Sequence, residues 1–356
     1  MNIRRVFLVL LAGIILISAG AQPPAGYYDP AAGKTGKALQ QSLHDIIDNH
    51  TVLTYSDLWT AFQKTDKKPD GTVWDIYSDI PGGTPAYTYT FSTDQCGNYS
   101  KEGDCYNREH SFPKSWFNDA MPMYTDLFHI YPTDGWVNNK RGNYPFGETA
   151  APTWTSTNGS TVGPSSWSGY TGVVFEPIDA YKGDFARTYF YMATRYYGED
   201  AAWPGSEMTT GAQPKAWALD MLLAWHRTDP VSAKETDRNN EVWKYQNNRN
   251  PFIDNPLYAE MIWGTLNAVP GISRTYNDLS LWPNPASDYL RIRVPGEECA
   301  GTAIILFDIS GCTLRQYTLE EEETAINISS MPAGIYYIRL TCNDAVYSGS
   351  FVVAGR

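Results

Sequence analysis

The sequence is short of positive charge. Its 27 Lys and Arg residues face 39 Asp and Glu, for a net charge of −12. That deficit argues against a protein that holds nucleic acid by a broad basic surface, so any polyanion it binds must meet a local basic patch or bound cations. Long apolar runs are missing beyond the first twenty residues, which leaves no other candidate for a membrane-spanning helix. Histidine and cysteine are scarce, with five of each. No H-E-x-x-H helix is present and no two cysteines are spaced as a zinc pair. There is no internal repeat, and the one low-complexity stretch, four glutamates at 320–323, reads as a solvated turn.

Aromatic residues are plentiful, at 14% of the chain with 25 Tyr and 12 Trp. They suffice for a sizeable core and leave rings for surfaces that stack on bases or sugars. Arg4 and Arg5 precede an apolar run over 6–17 and the small residues Ser18, Ala19, Gly20 and Ala21. This layout predicts a signal peptide over 1–21, and the apolar run is too short to favour a spanning helix, which needs roughly 20 such residues. The mature chain is expected to be exported, without a membrane span. About 335 residues then remain, more than one typical domain. Export favours disulfides, and Cys96 and Cys105 are expected to pair. Cys299, Cys312 and Cys342 are an odd set whose pairing stays open.

The opening "QPPAGYYDPAAGKTG" reads as an extended arm. Helical spacing follows over 37–50, with Leu39, Leu43, Ile46 and Ile47 on one face and His44 and His50 in structural or exposed positions. A helix over 56–65 is expected, with Ser56 as N-cap. "VWDIYSD" and "AYTYTFS" alternate as short strands do, and 147–172 reads as a long loop. Phe185, Tyr189, Met192 and Tyr196 mark the core face of a helix. A further helix begins at Pro214, with Trp217, Met221, Leu222 and Trp225 inward and His226 packing at its end. From 277 the pattern changes to strand alternation broken by turns, which predicts a small all-β module.

The candidate site is the Glu109-His110 pair in "CYNREHSFPKSW", followed by "YTDLFHIYPTDGWVNNKRGNYPFG". "TDGWVNNKRG" predicts a short helix with Thr133 or Asp134 as N-cap, bringing Asn138 or Asn139 toward the Glu-His strand end. A carboxylate and an amide oxygen are hard ligands suited to Mg²⁺. A neutral imidazole beside them is poised to deprotonate water, a plan for phosphodiester hydrolysis. From spacing alone two other readings stay open: a surface accident, and a zinc site on His110, His129 and Asp126.

"NREHSFPKSWF", "YTDLFHIYPTDGWVNNKRGNYPFG" and "VWKYQNNRNPFIDNP" resemble signature blocks of the endonuclease I family, secreted or periplasmic nucleases of the ββα-metal (His-Me finger) class. "YYDPAAGKTGKALQQSLHDIID" and "WHRTDPVSAKETDRNN" also resemble it, and the likeness runs through most of 27–264. It implies that His110 is the general base, Glu109 the metal-binding carboxylate and Asn138 the metal-binding amide on the finger helix. It assigns Arg141 to catalysis and phosphate contact, and Lys140 and Arg249 to nucleic-acid binding. The implied cofactor is Mg²⁺, with Mn²⁺ or Ca²⁺ as alternatives. The implied substrate is DNA and also RNA, cut with little sequence preference to leave 5′-phosphate ends. Two positions depart from the family pattern: Phe128-His129 stands where two histidines are frequent, leaving the role of His129 open, and Asn255 stands where His is frequent. The catalytic domain, 22–276, is acidic in its own right, with 20 basic against 29 acidic residues, net −9, once the two signal arginines and the 5 basic and 10 acidic residues of 277–356 are set aside.

"LWPNPASDYLRIRV", "FDISG" and "MPAGIYYIRL" resemble the type A C-terminal sorting domain of the type IX secretion system. This implies that 277–356 is a small β-sandwich that engages the secretion machinery, and a secreted or cell-surface destination. The expected fold class is α+β, a mixed helical nuclease domain around a ββα-metal finger followed by an all-β sandwich. The competing readings are an aromatic-rich glycan-binding or adhesive surface protein on a nuclease-like fold, and a zinc hydrolase.

Overall fold

A computed structural model describes residues 23–264, 276–294, 299–307, 313–321, 323–342 and 345–354. The expected signal peptide and Cys312 lie outside the described residues. The chain separates into two compact units, residues 1–267 and 268–356. The expected join near 276 falls beside residues 265–275, also outside the described residues.

The first unit is built mainly from helices: α1 Gly36–Ile47, α2 Asp57–Thr65, α3 Gly135–Arg141, α4 Lys182–Arg195, α5 Ala216–Thr228, α6 Ala233–Gln246, α7 Pro251–Asp254 and α8 Leu257–Trp263. In α1 the expected face is met, with Leu39, Leu43 and Ile47 fully buried. Ser56 precedes α2 but makes no side-chain cap bond. Thr54 and Asp57 close that end reciprocally, the Asp57 carboxylate accepting from the Thr54 amide at 2.9 Å and hydroxyl at 2.7 Å. The expectation for α4 was too narrow. Every residue from Lys182 to Arg195 is buried, so this helix runs through the core and has no solvent face. Its charges are neutralised by partners: Arg187 by Glu235 and Asp184 by Lys234. Helix α6 starts with a capping box between Ser232 and Glu235.

Strands are few in this unit. β1 Tyr106–His110 pairs antiparallel with β2 Ile130–Asp134, and α3 follows directly. The loop over 147–172 carries β3 Trp154–Thr155 and β4 Thr161–Pro164, which form a three-stranded sheet with β5 Val173–Glu176. β6 Thr209–Thr210 and β7 Gln213–Pro214 form a small ribbon.

"VWDIYSD" and "AYTYTFS" are not strands. Asp75 accepts from the Tyr77 amide at 2.8 Å, and the chain turns there instead of extending. The apparent alternation comes from irregular backbone packing its rings around Tyr106, with Tyr89 5.6 Å away between centroids. The N-terminal arm is also not free: a turn of 3-10 helix spans Asp29–Ala31, and the Tyr28 hydroxyl donates to Asp254 at 2.7 Å.

The second unit is all β. β8 Tyr276–Asp278, β11 Ala303–Phe307, β12 Thr313–Thr318, β14 Gly334–Cys342 and β15 Ala345–Val353 form a five-stranded sheet in the order β12-β11-β14-β15-β8. β9 Ser280–Trp282, β10 Tyr289–Arg293 and β13 Glu323–Asn327 form a three-stranded one. Alternate residues of both sheets, among them Leu290, Ile292, Ile304, Leu306, Ile338 and Leu340, share one apolar core. This is the expected sandwich. Within it Cys299 and Cys342 are bonded.

Candidate active site

The site is assembled by the β1-β2-α3 finger. Asp134 ends β2 and caps α3, its carboxylate accepting from the Val137 amide at 2.8 Å. The irregular segments before β1 hold this junction: Asp75 accepts from the Asp134 amide at 2.9 Å, and the Tyr89 hydroxyl donates to Asp134 at 2.6 Å. The expected Cys96–Cys105 disulfide is formed immediately before β1.

Strand alternation sorts the residues of β1 onto two faces. Asn107 and Glu109 face α3, where Asn138 and Arg141 sit one turn apart on a single side of the helix. The Asn138 amide nitrogen donates to Asn107 Oδ1 at 2.7 Å, which turns its Oδ1 away from that bond. Arg141 Nη1 donates to Glu109 Oε1 at 3.0 Å, and the Tyr77 hydroxyl donates to the same oxygen at 2.9 Å. The second oxygen, Oε2, takes no side-chain donor among the described residues. Burial raises the Glu109 carboxyl, and the Arg141 guanidinium opposes that shift.

His110 lies on the other face, beside Tyr55, Tyr124 and Phe117. Its Nε2 sits 3.1 Å from the Tyr124 carbonyl oxygen. A carbonyl only accepts, so Nε2 carries the proton and Nδ1 keeps its lone pair. Burial, with the neighbouring His129 ring next, pushes its pKa down to about 3, so the imidazole is neutral at physiological pH.

Arg141 and Arg249 do not fit phosphate contact. Arg141 is 1% exposed, and its guanidinium is committed to Glu109 and to the carbonyl oxygens of His110 and Ser111. It positions Glu109 and the end of β1. Arg249 is also 1% exposed and grips Asp254 with two nitrogens at 2.7 Å, with a third bond to Asn240. A guanidinium sealed this deeply cannot reach a groove, even though Arg141 Nε itself has no partner among the described residues. Lys140 stands over the Trp136 ring at 4.6 Å, two residues on from Asn138 and so on the far side of α3 from Glu109. Asn139 is exposed and is not part of the Asn107-Asn138 contact.

His129 packs. Its Nε2 donates to the Met123 carbonyl at 2.7 Å and its ring lies 5.6 Å from that of His110. The zinc alternative is not supported, since His110, His129 and Asp126 do not converge: Asp126 is taken up by Tyr191, Tyr196 and Gln246. Among the described residues one other group, His44, Asp48 and Glu199, is spaced to hold an ion. There Arg195 Nη1 already bridges the two carboxylates at 2.9 and 3.0 Å. Sequence reasoning missed Tyr77, Asn107, Tyr55 and the Tyr124 carbonyl. Only Asn107 had a signal, its two-residue spacing from Glu109.

A two-stranded ribbon and capped helix carrying a carboxylate, an amide and a tautomer-fixed histidine define a ββα-metal finger nuclease. The chain belongs to the endonuclease I family: the family's sequence model matches residues 35–257. Residues 280–354 match the secretion system C-terminal sorting domain. An extracellular ribonuclease of Bacillus amyloliquefaciens is 38% identical over 247 residues, 67% of this chain and 78% of the relative. An extracellular ribonuclease of Bacillus subtilis is 36% identical over 260 residues, 70% of this chain and 83% of the relative. A periplasmic deoxyribonuclease of Aeromonas hydrophila is 29% identical over 241 residues, 62% and 86%. The family is one of metal-dependent hydrolytic nucleases, and this member carries a type IX sorting domain and is a secreted or cell-surface protein.

Proposed function

We propose that the protein is an exported endonuclease that hydrolyses phosphodiester bonds of DNA and RNA, needs a Mg²⁺-type ion, shows little sequence preference and leaves 5′-phosphate ends. The observation that carries this reading is the fixed tautomer of His110 at the end of the same strand that carries Glu109 opposite Asn138. The donor set fits the ion: Glu109 Oε2 and Asn138 Oδ1 are hard oxygens free of side-chain donors, and two protein ligands are what Mg²⁺ commonly takes. Mn²⁺ or Ca²⁺ would suit the same oxygens. When bound, such an ion supplies neutralisation of charge at a phosphate oxygen and at the departing 3′ oxygen.

His110 Nδ1 accepts a proton from water as the water oxygen attacks phosphorus in line. The bond from phosphorus to the 3′ oxygen breaks, and that oxygen takes up a proton from solvent, leaving a 5′-phosphate. Tyr124 holds the ring at Nε2 throughout, and Arg141 and Tyr77 hold Glu109. The ribonuclease names of the two Bacillus relatives support RNA as a substrate, and the Aeromonas name supports DNA. Residues 1–21 serve as a cleaved signal peptide, 22–276 as the catalytic domain and 277–356 as the sorting domain.

The test is cleavage of plasmid DNA and of structured RNA with Mg²⁺ or with EDTA. Nicking that EDTA abolishes and Mg²⁺ restores is the expected result, and cleavage unaffected by EDTA would remove the ion from the mechanism. Glu109→Ala and Asn138→Ala are expected to demand more Mg²⁺, Glu109→Ala the more so because it also removes a charge.

A further inference from the structure

With Arg141 and Arg249 committed internally, the His110 face of β1 still needs a cation to meet a polyanion, because the catalytic domain is acidic overall. Seven arginines lie in the described part of the first unit. Six of them, Arg141, Arg187, Arg195, Arg227, Arg238 and Arg249, form ion pairs with Asp or Glu. Arg108 has no carboxylate partner among the described residues. It lies two residues before His110, on the same strand face. Its guanidinium is laid on the Tyr55 ring, 3.4 Å from the centroid, and 4.3 Å from that of Trp59. Nη1 donates to the Tyr55 carbonyl at 2.7 Å. Nε and Nη2 take no protein acceptor and are not among the buried unpartnered atoms, so that edge of the fork is open to solvent.

A half-buried guanidinium without a counter-charge is costly unless an anion completes it. Its aromatic bed fixes the fork in advance, so little entropy is lost when two N–H groups grip phosphate oxygens. Tyr55 also stacks on the His110 ring, 6.1 Å between centroids, and so links the position of Arg108 to that of the base. We infer that Arg108 is a substrate-binding residue that takes a backbone phosphate of the nucleic acid beside the one attacked by the water that His110 deprotonates. This rests on the nuclease reading above.

The experiment uses the full chain with His110→Ala, which binds without turnover. Affinity for a duplex oligonucleotide is measured across a salt series at fixed Mg²⁺, with and without Arg108→Gln. The expected result is about tenfold weaker binding or more. The slope of log K against log[salt] is expected to become shallower by about 0.9. Unchanged affinity and slope would overturn the inference. If Arg108→Gln fails to fold, phenylglyoxal labelling of the unsubstituted protein in EDTA decides, with adducts mapped by mass spectrometry. Arg108 is expected to be shielded by bound oligonucleotide, with the exposed Arg227 labelled equally in both states; equal labelling of Arg108 overturns the inference. If the parent neither binds nor cleaves nucleic acid, the nuclease reading itself falls. If it does both and Arg108 alone has no effect, only this inference falls.

Discussion

The two units solve the same folding problem with different interiors. The sorting unit is filled mainly by aliphatic side chains from alternate positions of facing strands, with Tyr336, Tyr347 and Phe351 among them, and apart from those two tyrosines Thr324 is the one polar side chain buried among its described residues. The nuclease unit buries Arg141, Arg187, Arg238 and Arg249, each against a carboxylate, together with a dense set of tyrosines. Apolar burial is non-directional and tolerates repacking. Buried ion pairs stabilise little beyond what apolar contacts would, because desolvation offsets their attraction. They do fix geometry: Arg238 holds Asp66 at 2.8 Å and the carbonyl oxygens of Leu127 and Ile130 at 2.7 and 2.9 Å, anchoring the start of β2. A scaffold that must place Glu109, His110 and Asn138 relies on such directional contacts. A domain whose work lies at its surface does without them.

The sharpest break between the units is functional. His110→Ala should lower cleavage by ~10²–10⁴ while leaving both units folded; turnover near that of the parent would remove His110 from the mechanism. Next comes the interior. Arg238→Ala strands Asp66 in the core and should cost the nuclease unit about 3–5 kcal/mol. Leu340→Ala should cost the sorting unit about 2–5 kcal/mol by leaving a cavity. Hydrogen exchange resolved along the chain would read each effect, and loss of protection in both units from either substitution would mean that they do not fold separately.

Acid should separate the units further. Burial lowers the pKa of His226 to about 4, with Arg187 adding to the shift, and lowers His50 and His129 as well. The unfolded chain therefore binds more protons than the folded one below about pH 6.5. Stability is fully present above that pH and is lost as pH falls toward the depressed folded values. From pH 6.5 to 5 the His226 contribution should fall by on the order of 1–2 kcal/mol, His50 and His129 acting in the same direction; the buried carboxyls of Asp75 and Glu235, raised to about 7, offset part of that loss. The sorting unit contains no histidine and should hold over that window. Equal losses in both units, followed by circular dichroism of each unit expressed alone, would contradict the assignment. The smallest effect expected is that of Arg291→Ala. The pair with Glu323 is exposed on the surface of the sandwich, so its removal should cost no more than about 1 kcal/mol in a denaturant titration.

The contrast between the interiors also explains what could be read in advance. Strand alternation in the sorting unit and the apolar face of α1 were legible because one apolar face against water leaves a period in the sequence. Helix α3 was legible through its Asp134 cap. The segments over 73–92 were misread because buried rings in irregular backbone mimic a two-residue period. Helix α4 was underread because its buried charges looked like a solvent face, when their partners lie 48 to 50 residues away in sequence at Glu235 and Lys234. The same limit misplaced the basic residues. Charge is written in the sequence, but its counter-charge is chosen by the fold, and that choice put Arg141 and Arg249 inside and left Arg108 without one.

By itself the sequence determined the family, the order of the two units, the Cys96–Cys105 bond and the adjacency of Glu109 and His110, because these are carried by neighbouring residues or by a short period. Only the tertiary structure decided which nitrogen of His110 keeps its lone pair, which oxygen of Glu109 stays free and which arginine is left without a counter-charge. Each of these depends on a hydrogen bond or ion pair between segments far apart in the chain, and a directional contact of that kind exists only once the chain has closed around it.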